Sequence, residues 1–191
     1  MKFKGTARYV HMVNPSAPRG TDALRYGLEL LIPNTDPQVG EINSALEAAK
    51  AAGFPQGFPA NGHSPVSQGE GQLAGYTILR ARTKAEFGRP PYVDQSLQPI
   101  IDPAADGETV GQIVWVDVAF AAFNNVAKGV ACYLNGVMVT GEAGPIDREL
   151  LASGPTAQSM FGDVAGGAPD VPAAAAPAPD APPVPPAAAP A

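Results

Sequence analysis

This chain is poor in nearly everything that a disulfide scaffold, a membrane protein or a helical bundle requires. It has one cysteine, Cys132, so an intramolecular disulfide is excluded. No apolar run reaches the length of a membrane span. The basic start Met1-Lys2-Phe3-Lys4 is followed at once by polar residues and does not read as a secretory leader, so a soluble, cytoplasmic protein is expected. Charged residues make up only 16% and aromatics only 7%, whereas Gly and Pro number 21 and 22. Such a balance favours strands joined by turns over helices packed by charge-rich faces. A chain of 191 residues accommodates one domain of ordinary size and an appendage.

The signatures of chemistry are missing too. There is no Gly-rich phosphate loop ending in Lys-Ser/Thr, no nucleophile elbow and no His/Cys/carboxylate cluster at metal-ligand spacing. Asp102 and Asp106 lie close in sequence, near Asp94, and a Mg²⁺ nuclease uses such carboxylates; in a Pro-rich acidic turn they are expected to be solvated instead. His63 stands in a loop without ligand company and reads as a solvated histidine. Neither enzyme activity nor a metal or cofactor is expected.

What is present is unevenly distributed. Of the net charge of −6, residues 1–139 carry −1 and residues 140–191 carry −5, the latter from Arg148 against Glu142, Asp147, Glu149, Asp163, Asp170 and Asp180. The body is thus almost neutral, and the overall pI says little about any local face. Residues 165–191 are nearly all Ala and Pro and read as a disordered, polyproline-like tail, either an inert spacer or a mobile acidic arm. Three regions follow: a β domain over 1–140, a polar acidic segment over 141–164, and the tail.

Within the body, alternation of apolar residues predicts strands over Thr6–Val13, 25–32, 76–84, Val110–Phe123 and Ala127–Val139, the last broken at Asn135-Gly136. One helix is well punctuated, with Asp36 as N-cap, Pro37 at N1, an apolar stripe of Val39, Ile42, Leu46 and Ala49, and Gly53 at its end. Residues 54–74 read as an unusually long loop. The expected architecture is mainly β: an oligonucleotide-binding (OB)-like five-stranded antiparallel barrel with one α-helix and a disordered C-terminal tail. The helix falls between the second and third strands, unlike the usual order, in which it follows the third.

The stretch Gly75-Tyr-Thr-Ile-Leu-Arg-Ala-Arg-Thr-Lys84 bears most directly on function. As a strand it puts Tyr76, Arg80, Arg82 and Lys84 on one face. Cations beside an aromatic ring suit phosphates and flat bases, and they also suit a merely solvated face. Arg89 and Tyr92 follow as candidates, Tyr92 either stacking on a base or packing behind Pro90-Pro91. Arg8, in parity with Lys2 and Lys4, extends the cationic track, and Lys128 flanks it. Trp115, on the mixed face of its strand, is either core or a further platform.

Several segments in this order resemble single-stranded DNA-binding proteins of tailed phages. They are Gly5-Thr-Ala-Arg-Tyr-Val10, Leu30-Leu-Ile-Pro33, the helix after Asp36, Gly75–Arg82, Arg89-Pro-Pro-Tyr-Val-Asp94, Val116–Asn125, Lys128–Gly136 and Phe161-Gly-Asp163. The resemblance spans roughly residues 4–163. It implies an OB barrel that coats and protects single-stranded DNA without strong sequence preference during phage replication or recombination. It also implies a flexible tail available to replication or recombination proteins and leaves homo-oligomerisation open. This tail departs from the densely acidic tails of better-known members, having only Asp170 and Asp180 after residue 165. The competing readings are a phage structural or decoration protein and a protein-interaction module.

Overall fold

Alternating apolar residues bury one face of each long strand, and the strands curl around that face. The computed structural model describes residues 1–17, 22–125 and 127–152. Its strands are β1 (Lys2–Ser16), β2 (Arg25–Pro33), β3 (Val66–Gln68), β4 (Tyr76–Lys84), β5 (Tyr92–Val93), β6 (Gln112–Asn124) and β7 (Lys128–Ala143), in the sheet order β3-β4-β2-β1-β6-β7-β5. The five long strands β1, β2, β4, β6 and β7 close into a barrel, as expected. The closing contact is a parallel one, between Arg82 of β4 and Tyr133 of β7, while the other barrel neighbours are antiparallel. β1 serves two partners: residues 2–6 pair with β6, and residues from Thr6 onward pair with β2.

The interior is aliphatic. Val114, Val116 and Val118 of β6 are buried as their parity requires, against Leu28, Leu30, Leu79, Ala81, Cys132 and Leu134. Burial among these side chains pushes the Cys132 thiol up to about 12, which leaves it protonated and inert. β7 is not broken at Asn135-Gly136. It runs through with a bulge, because Asp117 faces Gly136 while the next residue, Val118, faces Leu134.

The expected helix is α1 (Gln38–Gly53). The Asp36 carboxylate accepts the Gln38 backbone N–H at 2.9 Å, and Ile42 and Leu46 are its buried residues. The Gln38 side chain then docks the helix on β1, accepting from the Lys4 N–H at 2.7 Å and donating to the Lys4 carbonyl. Residues 54–74 contain two elements the sequence pattern did not disclose, β3 and a 3₁₀ turn over Gly71–Leu73.

Two short helices complete the described chain, α2 (Ala105–Thr109) and α3 (Arg148–Ala152). α2 corrects the expectation of a solvated acidic turn. Asp106 is buried, and its carboxylate accepts the backbone N–H groups of Met12, Val13 and Asn14 at 2.8–3.1 Å. Those residues fall where the β1–β2 register slips, so a side chain stands in for the missing strand partner. Asp94 and Asp102 are likewise engaged in local turns, accepting from Ser96, Gln98 and Ala104. Beyond β7, Ile146 and Leu151 cover Leu31 and Ile78 on the outer face of the barrel. The described chain past residue 140 therefore packs on the body, and the Pro/Ala tail lies outside the described residues.

Replacing Asp106 by Ala strands the buried N–H of Met12 and removes the acceptor of the partly buried N–H groups of Val13 and Asn14, so Asp106→Ala is expected to lower stability by about 2–3 kcal/mol. Denaturant titration followed by labelling of Cys132, whose thiol becomes reactive only when the barrel opens, measures the loss.

Candidate nucleic-acid interface

Strand register arranges the outer face of β1, β2 and β4 in rows. The first is apolar: Thr6, Leu31 and Ile78, the latter two under Ile146 and Leu151. Tyr76 packs against this same cluster, half-buried, rather than standing free beside the arginines. The second row is Arg8, Glu29 and Arg80. The third is His11, Gly27 and Arg82, and the fourth Ser16, Arg25 and Lys84.

The second row is an ion-pair chain across three strands. Glu29 is 7% exposed. Arg80 donates to it through Nε at 2.9 Å and to Ser67 through a terminal nitrogen at 3.0 Å. Arg8 approaches its other oxygen at 3.6 Å and donates to the Tyr9 hydroxyl at 2.8 Å. Two of the expected phosphate-binding cations are thus already paired to one carboxylate. Lys84 is also paired, with Glu86 at 2.8 Å.

Arg82 and Arg25 differ. Neither has an ion-pair partner among the described residues, and the buried Arg25 Nε has no hydrogen-bond partner. Both line a groove of about 440 Å³, together with Tyr9, His11, Gly27 and Glu29. Gly27 has a steric role there. A Cβ at that position would come within 2.6 Å of the Ala81 carbonyl and 2.7 Å of the Arg82 Cγ, so only glycine lets the Arg82 stem lie across β2.

Tyr9 is a site residue that alternation conceals. Its neighbours Ala7 and Val10 are both core, so one extra residue has been admitted into β1 between Arg8 and His11. Tyr9 takes the strain of that bulge at φ +49° and swings outward, 41% exposed, with the Arg8 guanidinium 4.3 Å from its ring centroid. Tyr133 is also exposed, and its pairing with Arg82 brings a second ring to the arginine.

The loop before β3 supplies His63. Its N–H donates to the Lys128 carbonyl, and its own carbonyl accepts from Val130, which ties the loop to β7 beside the barrel closure. A side chain at Gly129 would strike His63, so this approach requires glycine. The imidazole lies 6.3 Å from the Phe123 ring. Its pKa is held below the ordinary 6.5, first by desolvation and then by the charges of Arg80, Arg82 and Arg25. Far from being an isolated loop histidine, it registers the field of the cationic face, which Lys128 flanks.

The remaining candidates lie elsewhere. Tyr92 is 1% exposed, with its hydroxyl bound to Thr109 and the Ala105 carbonyl. Its ring is core and has no face to offer a base, which corrects the stacking expectation. Burial raises its pKa above 10.0. Arg89 is exposed in the segment before β5, outside the groove lining. Trp115 is 38% exposed, but beside Lys2 and Lys4 and not beside the arginines.

A small barrel with a cationic, tyrosine-edged groove across its strands is a form that nucleic-acid-binding proteins use. The comparisons narrow that class. The family model described as the single-stranded DNA-binding protein of Enterobacter phage Enc34 matches residues 4–170, and the chain belongs to that family. The solved single-stranded DNA-binding protein of bacteriophage Enc34 in complex with ssDNA is similar at 17% identity and TM-score 0.60, over 76% of this chain and 89% of that one. The gp2.5 single-stranded DNA-binding protein of bacteriophage T7 is similar at 22% identity and TM-score 0.53, over 76% and 93%. No curated protein matches the sequence. Among the described residues, no helix is long and apolar enough to cross a membrane.

Removing Arg82 deletes one cause of the His63 depression. In Arg82→Ala the His63 midpoint, followed by NMR, is expected to rise toward 6.5 without reaching it, since desolvation, the leading cause, persists.

Proposed function

We propose that single-stranded DNA lies in the groove across β2 and β4. Arg25 and Arg82 take its phosphates, and Tyr9 and Tyr133 take its bases. The observation that carries this reading is a pair of arginines lining one groove without an ion-pair partner among the described residues, in a chain of a single-stranded DNA-binding family. Phosphate contact displaces condensed counterions, so affinity falls with salt. Stacking on a tyrosine contributes about 1–3 kcal/mol per base and tolerates any base. Arg8 and Arg80 act differently: held by Glu29, they give the groove a fixed wall of modest net charge. Binding of this kind coats and protects exposed strands during phage replication or recombination without reading their sequence. No feature of the site favours the decoration-protein or interaction-module reading.

Two measurements test this assignment. Arg82→Ala and Arg25→Ala should each weaken binding to poly(dT) and to mixed sequences alike, and each should flatten the slope of log affinity against log salt by about 0.7. Unchanged slopes in both variants would move the DNA off this groove. The second test uses pH. Bound phosphates offset Arg80, Arg82 and Arg25, so the His63 pKa rises on binding and protons are taken up. Affinity should therefore grow as pH falls toward the free protein's depressed midpoint and level off below it. His63→Ala should weaken that dependence, because His11 also lines the groove.

A further inference from the structure

A second groove, of about 450 Å³, lies on the other flank of β7 and shares no lining residue with the first. Trp115 forms one wall, Pro91, Val93 and Val137 are among its apolar lining, and Leu97 stands over it, 70% exposed at φ +60°. Its rim is cationic. Lys2 lines it without an ion-pair partner among the described residues, and Lys4, in register with Trp115, holds its Nζ 6.0 Å from the ring centroid. The acids nearby are largely answered: Asp117 meets the Met1 ammonium at 3.1 Å, and Glu142 lies 3.9 Å from Lys4.

The register of β6 and β7 runs from the neighbourhood of the first groove to the second. Tyr133, in register with Arg82 of the first groove, pairs with Ala119, and further along the same ladder Gly136 pairs with Asp117 and Met138 with Trp115. The positions between, Ala119, Asn135 and Gly136, carry small or polar side chains and no bulky barrier. From Tyr133 to Met138 the path is about 17 Å at the rise of a strand, a length that a few extended nucleotides span.

From this continuity and the cationic rim we infer that the Trp115 groove is a second station for the same DNA strand. A base stacks on the indole there, and Lys2 and Lys4 hold the adjoining phosphates. The inference rests on the proposed groove at Arg25 and Arg82 and adds that the strand wraps past Tyr133 to reach β6. The protein's apparent site size then has two parts: a short strand occupies the arginine groove alone, and a longer one occupies both.

Trp115 is the sole tryptophan of the chain, so its fluorescence reports this station directly. The full chain is titrated with oligothymidylates from about four to about sixteen nucleotides, the range of site sizes for barrels of this kind. Anisotropy of end-labelled strands follows binding, and tryptophan emission with unlabelled strands follows stacking. Short strands should bind and leave the emission unchanged, while strands beyond a threshold length should quench it. Trp115→Ala should weaken only the longer strands, by roughly 5- to 150-fold. Long strands that saturate the anisotropy with no change in emission would overturn the inference and leave the groove to a protein partner. Absence of binding at every length would instead defeat the arginine-groove reading beneath it.

Discussion

The carboxylate of Glu29 decides what the outer face of this barrel can be. It sits in the middle strand of three, buried, with an arginine on either side in register. An isolated buried carboxylate is strongly disfavoured, so Glu29 holds Arg8 and Arg80 close to itself as a condition of its own burial. The triad ties β1, β2 and β4 together and reduces three formal charges to one. Without it, four arginines would crowd one small surface and repel one another. With it, the cations that remain for a ligand are Arg25 and Arg82, one row further along. The residues that look most alike in sequence, Arg80 and Arg82, thereby differ in pairing: Glu29 holds Arg80, while Arg82 has no ion-pair partner among the described residues.

Concavity comes from two backbone irregularities. The bulge at Tyr9 turns the later half of β1 away from the first half and brings a ring to the surface that strict alternation would have buried. Gly27 then lowers the floor opposite, so that the Arg82 side chain crosses β2 at van der Waals distance. A flat sheet with the same charges would expose its arginines singly to water. Here a groove collects them, and focusing of the field in a recess raises their effect on a polyanion well above that of the nearly neutral body as a whole.

Local pattern disclosed a good part of this arrangement. The cationic face of β4, the Asp36 hydrogen bond at the start of α1 and the alternation of β6 depend on neighbours in sequence, and all are present in the structure. What stayed hidden depends on distant neighbours. Tyr92 looked like a loop aromatic because nothing nearby in the chain announces that Thr109 and Ala105 will surround it. Asp106 looked solvated because its three partners lie more than ninety residues away, in β1. Tyr9 was concealed by a bulge that reverses parity without a glycine to mark it. His63 gained meaning only when its loop was stitched to β7 beside three arginines contributed by two other strands. β3 and β5 are too short to show a period at all.

If the proposed groove holds the strand, the groups left facing it favour binding without regard to sequence. Guanidinium groups answer phosphate oxygens, which every nucleotide carries, and tyrosine rings answer the π-face, which every base carries. Discrimination among bases requires a donor or acceptor aimed at a base edge. The one carboxylate that lines the groove among the described residues, Glu29, is buried and directed at arginines, so it has no oxygen turned toward a base. The interaction that organises the cations thus also withdraws the acceptor that would have read the sequence. On the proposed reading, indifference to sequence would follow from the way the site is held together.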